Sequence, residues 1–342
     1  MDLSRGGDRV RREVRSPSGF VIAVLCGGVG AARMLSGLQA VMDPTEIVGI
    51  VNTGDDTELH GLHISPDLDT ITYTLSGVAN PITGWGITGD TFRAMEALER
   101  FGAVTWFRLG DADLATHLYR TGRIRDGATL SEVTAEISRA FRLAISLLPM
   151  SDDPVRTRLR LEDGREVAFQ EYFVKMRHSV VVEHVRFAGA ELAEPAPGVL
   201  AALESAEIVV VAPSNPVVSI GPILAVPGVA SVLQARRDSV VAVSPIVAGA
   251  ALKGPADRLL VELRGEASAA GVARFLRAWV GTLVIDDTDG GLADEVRAAG
   301  LNCVVAPTVM RTPERAAALA RVVLGVTVDL GRSHDASASP GA

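Results

Sequence analysis

Val21-Ile22-Ala23-Val24-Leu25-Cys26-Gly27-Gly28-Val29-Gly30-Ala31-Ala32-Arg33 opens as an apolar run of strand length, halts on glycine and continues as a helix-forming segment. A strand buried on both faces reads as unbroken apolar residues and must return through a crossover helix, so this junction is the signature of a parallel sheet. Similar runs recur at Ile47 to Val51, Val104 to Phe107, Ile208 to Ala212, Val240 to Val243, Leu283 to Ile285 and Cys303 to Ala306. Helical patterns lie between many of them. The expected fold class is α/β, a Rossmann-like core with a mostly parallel sheet.

The middle of the chain has another texture. Arg156-Thr157-Arg158-Leu159-Arg160-Leu161 alternates, Glu162-Asp163-Gly164-Arg165 signals a turn, and Glu166-Val167-Ala168-Phe169 resumes strand composition, which predicts a hairpin. Ala112 to Thr121 and Leu130 to Leu143 carry helical periodicity. The expected organisation is a core of residues 20–107 and 200–325 with a smaller α+β subdomain, 108–199, inserted between its halves. A cleft between the two is a natural ligand site.

Composition sets the functional class. The chain has 342 residues, 48% hydrophobic and 22% charged, enough to bury a large core, and a net charge of −8. Bulk attraction to nucleic acid or anionic membrane is disfavoured, so a phosphate ligand must be held by local groups. Two cysteines, Cys26 and Cys303, exclude a disulfide framework and a thiolate zinc site, which points to a reducing, cytoplasmic setting. Residues 1–19 are basic but precede only a strand-length apolar run, so neither a signal peptide nor a membrane span is expected. That extension and the Ser/Ala-rich tail 331–342 are expected to be disordered.

Chemistry concentrates at the strand ends. Gly27, Gly28 and Gly30 let backbone approach a ligand, and the following helix offers free N–H groups to an anion, although neither the dinucleotide-binding spacing nor a P-loop is present. Asn52-Thr53-Gly54-Asp55-Asp56 ends the second strand, where open α/β sheets bind ligands, and Asp67-Leu68-Asp69 follows closely. Four carboxylates this close suggest a cation and phosphate between them. Helix capping is the competing reading for each. Asp67 and Asp69 share a face in an extended segment but diverge by about 200° in a helix, so they need not do the same job. Trp85 is a stacking candidate, Thr88 and Asp90 are substrate contacts or caps, and Arg108 either reaches the site or pairs with Asp111. Ser214 and Asn215, flanked by Pro213 and Pro216, form a rigid donor-rich loop suited to a phosphate or a base. His60 and His63 lack partners for a zinc set, and no Gly-x-Ser-x-Gly elbow is present.

Taken jointly, Gly27 to Arg33, Asn52 to Asp56, Ser65-Pro66-Asp67-Leu68-Asp69-Thr70, Gly84-Trp85-Gly86, Asp90-Thr91-Phe92, Leu109 to His117 and Ser214-Asn215-Pro216 resemble the 2-phospho-L-lactate transferase family of coenzyme F420 biosynthesis, whose bacterial members include the phosphoenolpyruvate transferases. The match in order and spacing covers about residues 20 to 325. The resemblance implies transfer of a phosphoenolpyruvyl or 2-phospholactyl group from a guanosine-diphosphate-linked donor to the ribityl hydroxyl of the deazaflavin Fo, with GMP released. It implies Mg2+, with Asp55, Asp56 and Asp67 as candidate ligands, and a homodimer acting on small molecules. By the same resemblance Asp69 and Arg108 belong at the deazaflavin, Asp69 with Asp67 as the catalytic pair, and Trp85, Thr88 and Asp90 beside them. Gly27, Gly28, Gly30, Ser214 and Asn215 belong to the nucleotide. The rival expectation is a nucleotide-sugar-binding regulatory protein of a related family. An NAD-dependent oxidoreductase is disfavoured by the glycine spacing.

Overall fold

The computed structural model describes residues 20–337. Its strands are β1 Ile22–Cys26, β2 Ile47–Val51, β3 Thr57–Leu59, β4 Leu62–Ile64, β5 Ser146–Pro149, β6 Arg156–Leu161, β7 Glu166–Ala168, β8 Val182–Ala188, β9 Ile208–Val211, β10 Val240–Val243, β11 Ile246–Val247, β12 Ala250–Ala251, β13 Thr282–Ile285 and β14 Asn302–Val305. Its helices are α1 Gly28–Gln39, α2 Pro66–Leu75, α3 Arg93–Glu99, α4 Asp113–Arg125, α5 Leu130–Ala140, α6 Val199–Ser205, α7 Gly221–Ala225, α8 Val229–Ala235, α9 Ala256–Arg264, α10 Ala269–Leu276, α11 Ala293–Ala298 and α12 Pro313–Ser337.

Seven strands pair in parallel in the order β14-β13-β10-β9-β1-β2-β5. The period of two along each strand sends alternate residues to opposite faces, and both are buried. Ala23, Leu25, Ile50, Val209 and Val211 join one hydrophobic cluster with residues of α6, α8, α9, α10 and α11. Ile22, Val24, Cys26, Val51 and Val210 join the other with residues of α1, α2 and α12. Helix α1 packs so closely on α12 that a Cβ at Gly37 would lie 2.4 Å from the carbonyl oxygen of Ala316.

Chain order runs outward from β1 to β2 and β5 on one side and from β9 to β10, β13 and β14 on the other. The reversal between β1 and β9 splays the following loops apart, which makes a crevice at the carboxyl ends of these strands.

Three expectations need correction. Val104 to Phe107 is a loop rather than a strand, because its aromatic residues face a cavity instead of a sheet neighbour. The edge strand on that side is β5, paired with β2, so residues 108–199 are not one continuous insertion. The antiparallel β7-β6-β8 sheet, which includes the expected hairpin, is separate from the seven-stranded sheet but shares one hydrophobic cluster with it through Leu159, Leu161, Val167 and Val182. Finally, α12 runs to Ser337 through the segment expected to be disordered from 331, since extending a formed helix costs far less than nucleating one. Residues 1–19 and 338–342 lie outside the described residues. No single described helix is long and apolar enough to cross a membrane.

Candidate active site

A cavity of about 890 Å³ opens at the reversal between β1 and β9. One wall carries Asp55, Asp67 and Asp69, another the glycine turn with Ser214 and Asn215, and a third is aromatic, from Trp85, Trp106, Phe107, Phe169 and Phe173.

The glycine turn is fixed by contacts across the crevice. The Ser214 hydroxyl accepts a hydrogen bond from the Gly27 amide at 3.1 Å and donates to the Gly27 carbonyl at 2.9 Å. Gly28 begins α1 at φ +69°, a conformation that favours glycine, and a Cβ on Gly30 would stand 2.1 Å from the Pro213 carbonyl oxygen. Asn215 accepts from the amides of Val217 and Val218 through its side-chain oxygen, while its Nδ2 is buried without a partner at the cavity wall. A buried donor without an acceptor is destabilising unless a ligand supplies one.

At the acidic wall, the Asn52 amide donates to Asp55 Oδ1 at 3.0 Å and to Asp67 Oδ2 at 2.9 Å. Both carboxyls are driven up in pKa. Burial is the main cause for Asp55, followed by the charges of Asp67 and Asp56. Asp67 is pushed up to about 7, by burial first and by the charge of Asp56, against hydrogen bonds from Asn52 and the Gly28 amide. Two buried carboxyls sharing one neutral amide and facing a cavity are a donor set suited to a hard cation. Among the described residues no group of three His, Cys, Asp or Glu is arranged to hold a metal, but Mg2+ commonly takes one or two carboxylates and completes its shell with water and substrate phosphate. Asp56 is turned away from this pair. It accepts from Ser65 Oγ at 2.8 Å and lies 2.9 Å from His63 Nε2, and it lines a separate cavity of about 350 Å³ with Arg156 and Thr157.

Asp67 and Asp69 both fall in the first turns of α2, whose start aims at the cavity. Side chains tilt toward a helix's N-terminus, so both carboxylates reach the cavity despite their angular separation. Their surroundings differ sharply. Asp69 is gripped by both terminal nitrogens of Arg120, one of them 3.2 Å from Oδ2, and His117 Nδ1 lies 3.6 Å from the same oxygen. Arg120 is 2% exposed. Burial works against its charge, yet the adjacent Asp69 carboxylate holds its pKa above the ordinary value. His117 Nε2 lies 3.3 Å from Asp113, which accepts from the Tyr73 hydroxyl at 2.6 Å. Arg120 thus anchors Asp69, and Tyr73, Asp113 and His117 line the cavity beside it.

Thr88 and Asp90 take other positions. Asp90 accepts from the amides of Ala112 and Asp113 and so satisfies the start of α4, while Asp111 does the same for Arg93 and Ala94 of α3. The Thr88 hydroxyl donates to the Ala79 carbonyl at 2.8 Å. Neither Thr88 nor Asp90 lines the cavity, whereas Trp85 and Arg108 do. The Arg108 guanidinium stacks 4.2 Å from the Phe92 ring centre.

Sequence comparison matches residues 22–305 to the family described as 2-phospho-L-lactate transferase CofD. The chain belongs to the 2-phospho-L-lactate transferase family. As a member it is a transferase. Among its relatives are proteins named phosphoenolpyruvate transferase from Streptomyces griseus, 45% identical over 89% of this chain and 97% of the relative, and from Streptomyces coelicolor, 44% identical over the same shares. A namesake from Mycolicibacterium smegmatis is 39% identical over 89% of this chain and 97% of its own length. The crystal structure of a upf0052-family protein from Bacillus halodurans superposes with a TM-score of 0.58 at 16% identity, covering 89% of this chain and 98% of that one, a likeness of fold alone.

Sequence reading missed Arg120, Tyr73 and Gln170, whose side-chain nitrogen donates to Asp55 at 3.2 Å. A signal for the first was available: His117 and Arg120 stand at i and i+3, and Asp113 and His117 at i and i+4, on one face of α4.

Proposed function

We propose that this transferase moves a phosphoenolpyruvyl group, or its 2-phospholactyl counterpart, from a guanosine-diphosphate-linked donor to the ribityl hydroxyl of Fo, in coenzyme F420 biosynthesis. The hydroxyl oxygen bonds to the outer phosphorus, the bond from that phosphorus to the bridging oxygen breaks, and GMP leaves with the electron pair. The observation that carries this reading is the single cavity whose acidic wall meets both a glycine turn and an aromatic wall. A deazaflavin ring fits the aromatic side, with Trp85 and Arg108 at its edge, and GMP fits the turn, with Ser214 and the free Nδ2 of Asn215 as contacts.

Asp55 and Asp67 would hold Mg2+, which when bound neutralises charge on the pyrophosphate oxygens. Asp69, fixed in orientation by Arg120, accepts the hydrogen bond of the attacking hydroxyl and takes its proton as the new bond forms. Phosphoryl transfer asks the protein mainly for alignment, and a carboxylate locked by a buried guanidinium supplies it. A homodimer and a reducing cytoplasm belong to the same proposal; two free cysteines, the buried Cys26 and the half-buried Cys303, support the reducing setting.

Titration of Fo fluorescence tests the acceptor half. Saturable quenching is expected; no quenching, together with binding of a uridine-diphosphate sugar, would replace this reading with that of a nucleotide-sugar sensor.

A further inference from the structure

The cavity is acidic on its floor, yet three cationic side chains line it: Arg108, stacked on Phe92, and Arg33 and Lys253. Arg33 projects from α1, just beyond the glycine turn, and forms no hydrogen bond or ion pair among the described residues. Lys253 follows β12, and its one hydrogen bond among the described residues runs to the Thr83 carbonyl at 3.0 Å. The loop opposite is shaped to receive that ammonium, for a Cβ at Gly84 would lie 2.1 Å from Nζ and Gly84 holds φ +72°. Trp85, on the aromatic wall, follows directly.

We propose that Arg33 and Lys253 form a carboxylate subsite that receives the acid group of the donor's acyl portion. This inference rests on the donor assignment above. The donor carries two phosphates and one carboxylate. The glycine turn and the Asp55–Asp67 pair address the pyrophosphate, which leaves the carboxylate as the anion without a partner. A guanidinium matches a carboxylate through paired N–H donors, and an ammonium lining the same cavity adds charge. The lowered pKa of Lys253, from desolvation and then from the charge of Arg33, agrees with two cations held near one another without a resident anion. Because phosphoenolpyruvyl, phospholactyl and phosphoglyceryl groups all bear this carboxylate, the subsite demands an acid but does not distinguish the three.

The test compares the guanylylated phosphoenolpyruvate donor with an analogue in which hydrogen replaces the carboxylate, using wild-type protein, Arg33→Gln and Lys253→Gln. Both side chains are exposed, so folding should survive, as circular dichroism would check. Each substitution should raise the KM, and the calorimetric Kd, of the carboxylate donor about tenfold and leave those of the analogue unchanged. Equal losses with both donors would assign the cations to the pyrophosphate and overturn the proposal, as would no loss with either. Calorimetry with donor alone reads this even if Fo proves not to be the acceptor, so failure of the subsite and failure of the proposed reaction are distinguishable.

Discussion

Arg120 clasps Asp69 with both terminal nitrogens beneath the cavity, joining the middle of α4 to the first turns of α2. Removing one partner of a buried ion pair strands the other charge, at about 3–5 kcal/mol. Arg120→Met should therefore destabilise the protein by about that much in urea unfolding, whereas Arg120→Lys should retain part of the stability and lose the fork that orients Asp69. Asp69→Asn keeps the side-chain shape but strands the Arg120 charge, so below its unfolding range it should lower kcat about 100- to 1,000-fold with a smaller change in the KM for Fo. An unaltered kcat would remove Asp69 from the reaction.

The Asp67 carboxyl links stability to pH. Between the ordinary value of 3.8 and its raised value of about 7, the native state keeps a proton that the unfolded chain has released. Stability from this group is fully present at the acid end and declines as pH rises through that window, by at most about 1.4 kcal/mol per unit. Asp55, raised as well, acts in the same direction. The Tm of metal-free protein should fall from pH 5 to pH 8, millimolar Mg2+ should restore it mainly at pH 8, and Asp67→Asn should flatten the profile. A wild-type Tm independent of pH across this range would contradict the assignment.

Asp90 separates capping from substrate contact. Asp90→Ala removes the acceptor for two amides of α4 and should cost about 0.5–2 kcal/mol of stability. Below its unfolding range the variant should keep the wild-type KM for Fo, and a KM raised tenfold or more would return Asp90 to the substrate.

These side chains also mark where sequence was legible. Six apolar runs became strands of the seven-stranded sheet within a residue or two of their expected limits; five are central and buried on both faces, and the sixth, β14, is an edge strand that keeps apolar residues at three of its four positions. Val104 to Phe107 misled because residues that line a ligand cavity are as apolar as those that fill a core. Strand β5, Ser146-Leu147-Leu148-Pro149, went unseen because it offers only two apolar residues before a proline, a residue that sheets carry mainly at edges. At the site, Asp55, Asp67 and Asp69 stood out by their spacing. Arg120 did not, since its importance comes from a contact with a residue 51 positions away.

One substitution can divide the cap that Asn215 makes from the nucleotide contact proposed for it. Asn215→Asp keeps the oxygen that accepts from Val217 and Val218 but replaces the free Nδ2 donor with an acceptor. Thermal stability should change little, and the Kd for GMP should rise at least tenfold, about 1.4 kcal/mol. Unchanged GMP binding would confine Asn215 to its capping function.

The mass of the product reads the proposed reaction without any intermediate inference. Fo incubated with guanylylated phosphoenolpyruvate, Mg2+ and the protein should yield a species heavier than Fo by one phosphoenolpyruvyl group, with one equivalent of GMP. Intact Fo with both this donor and its guanylylated 2-phospholactate counterpart, whether they survive or are merely hydrolysed, would overturn the proposed reaction.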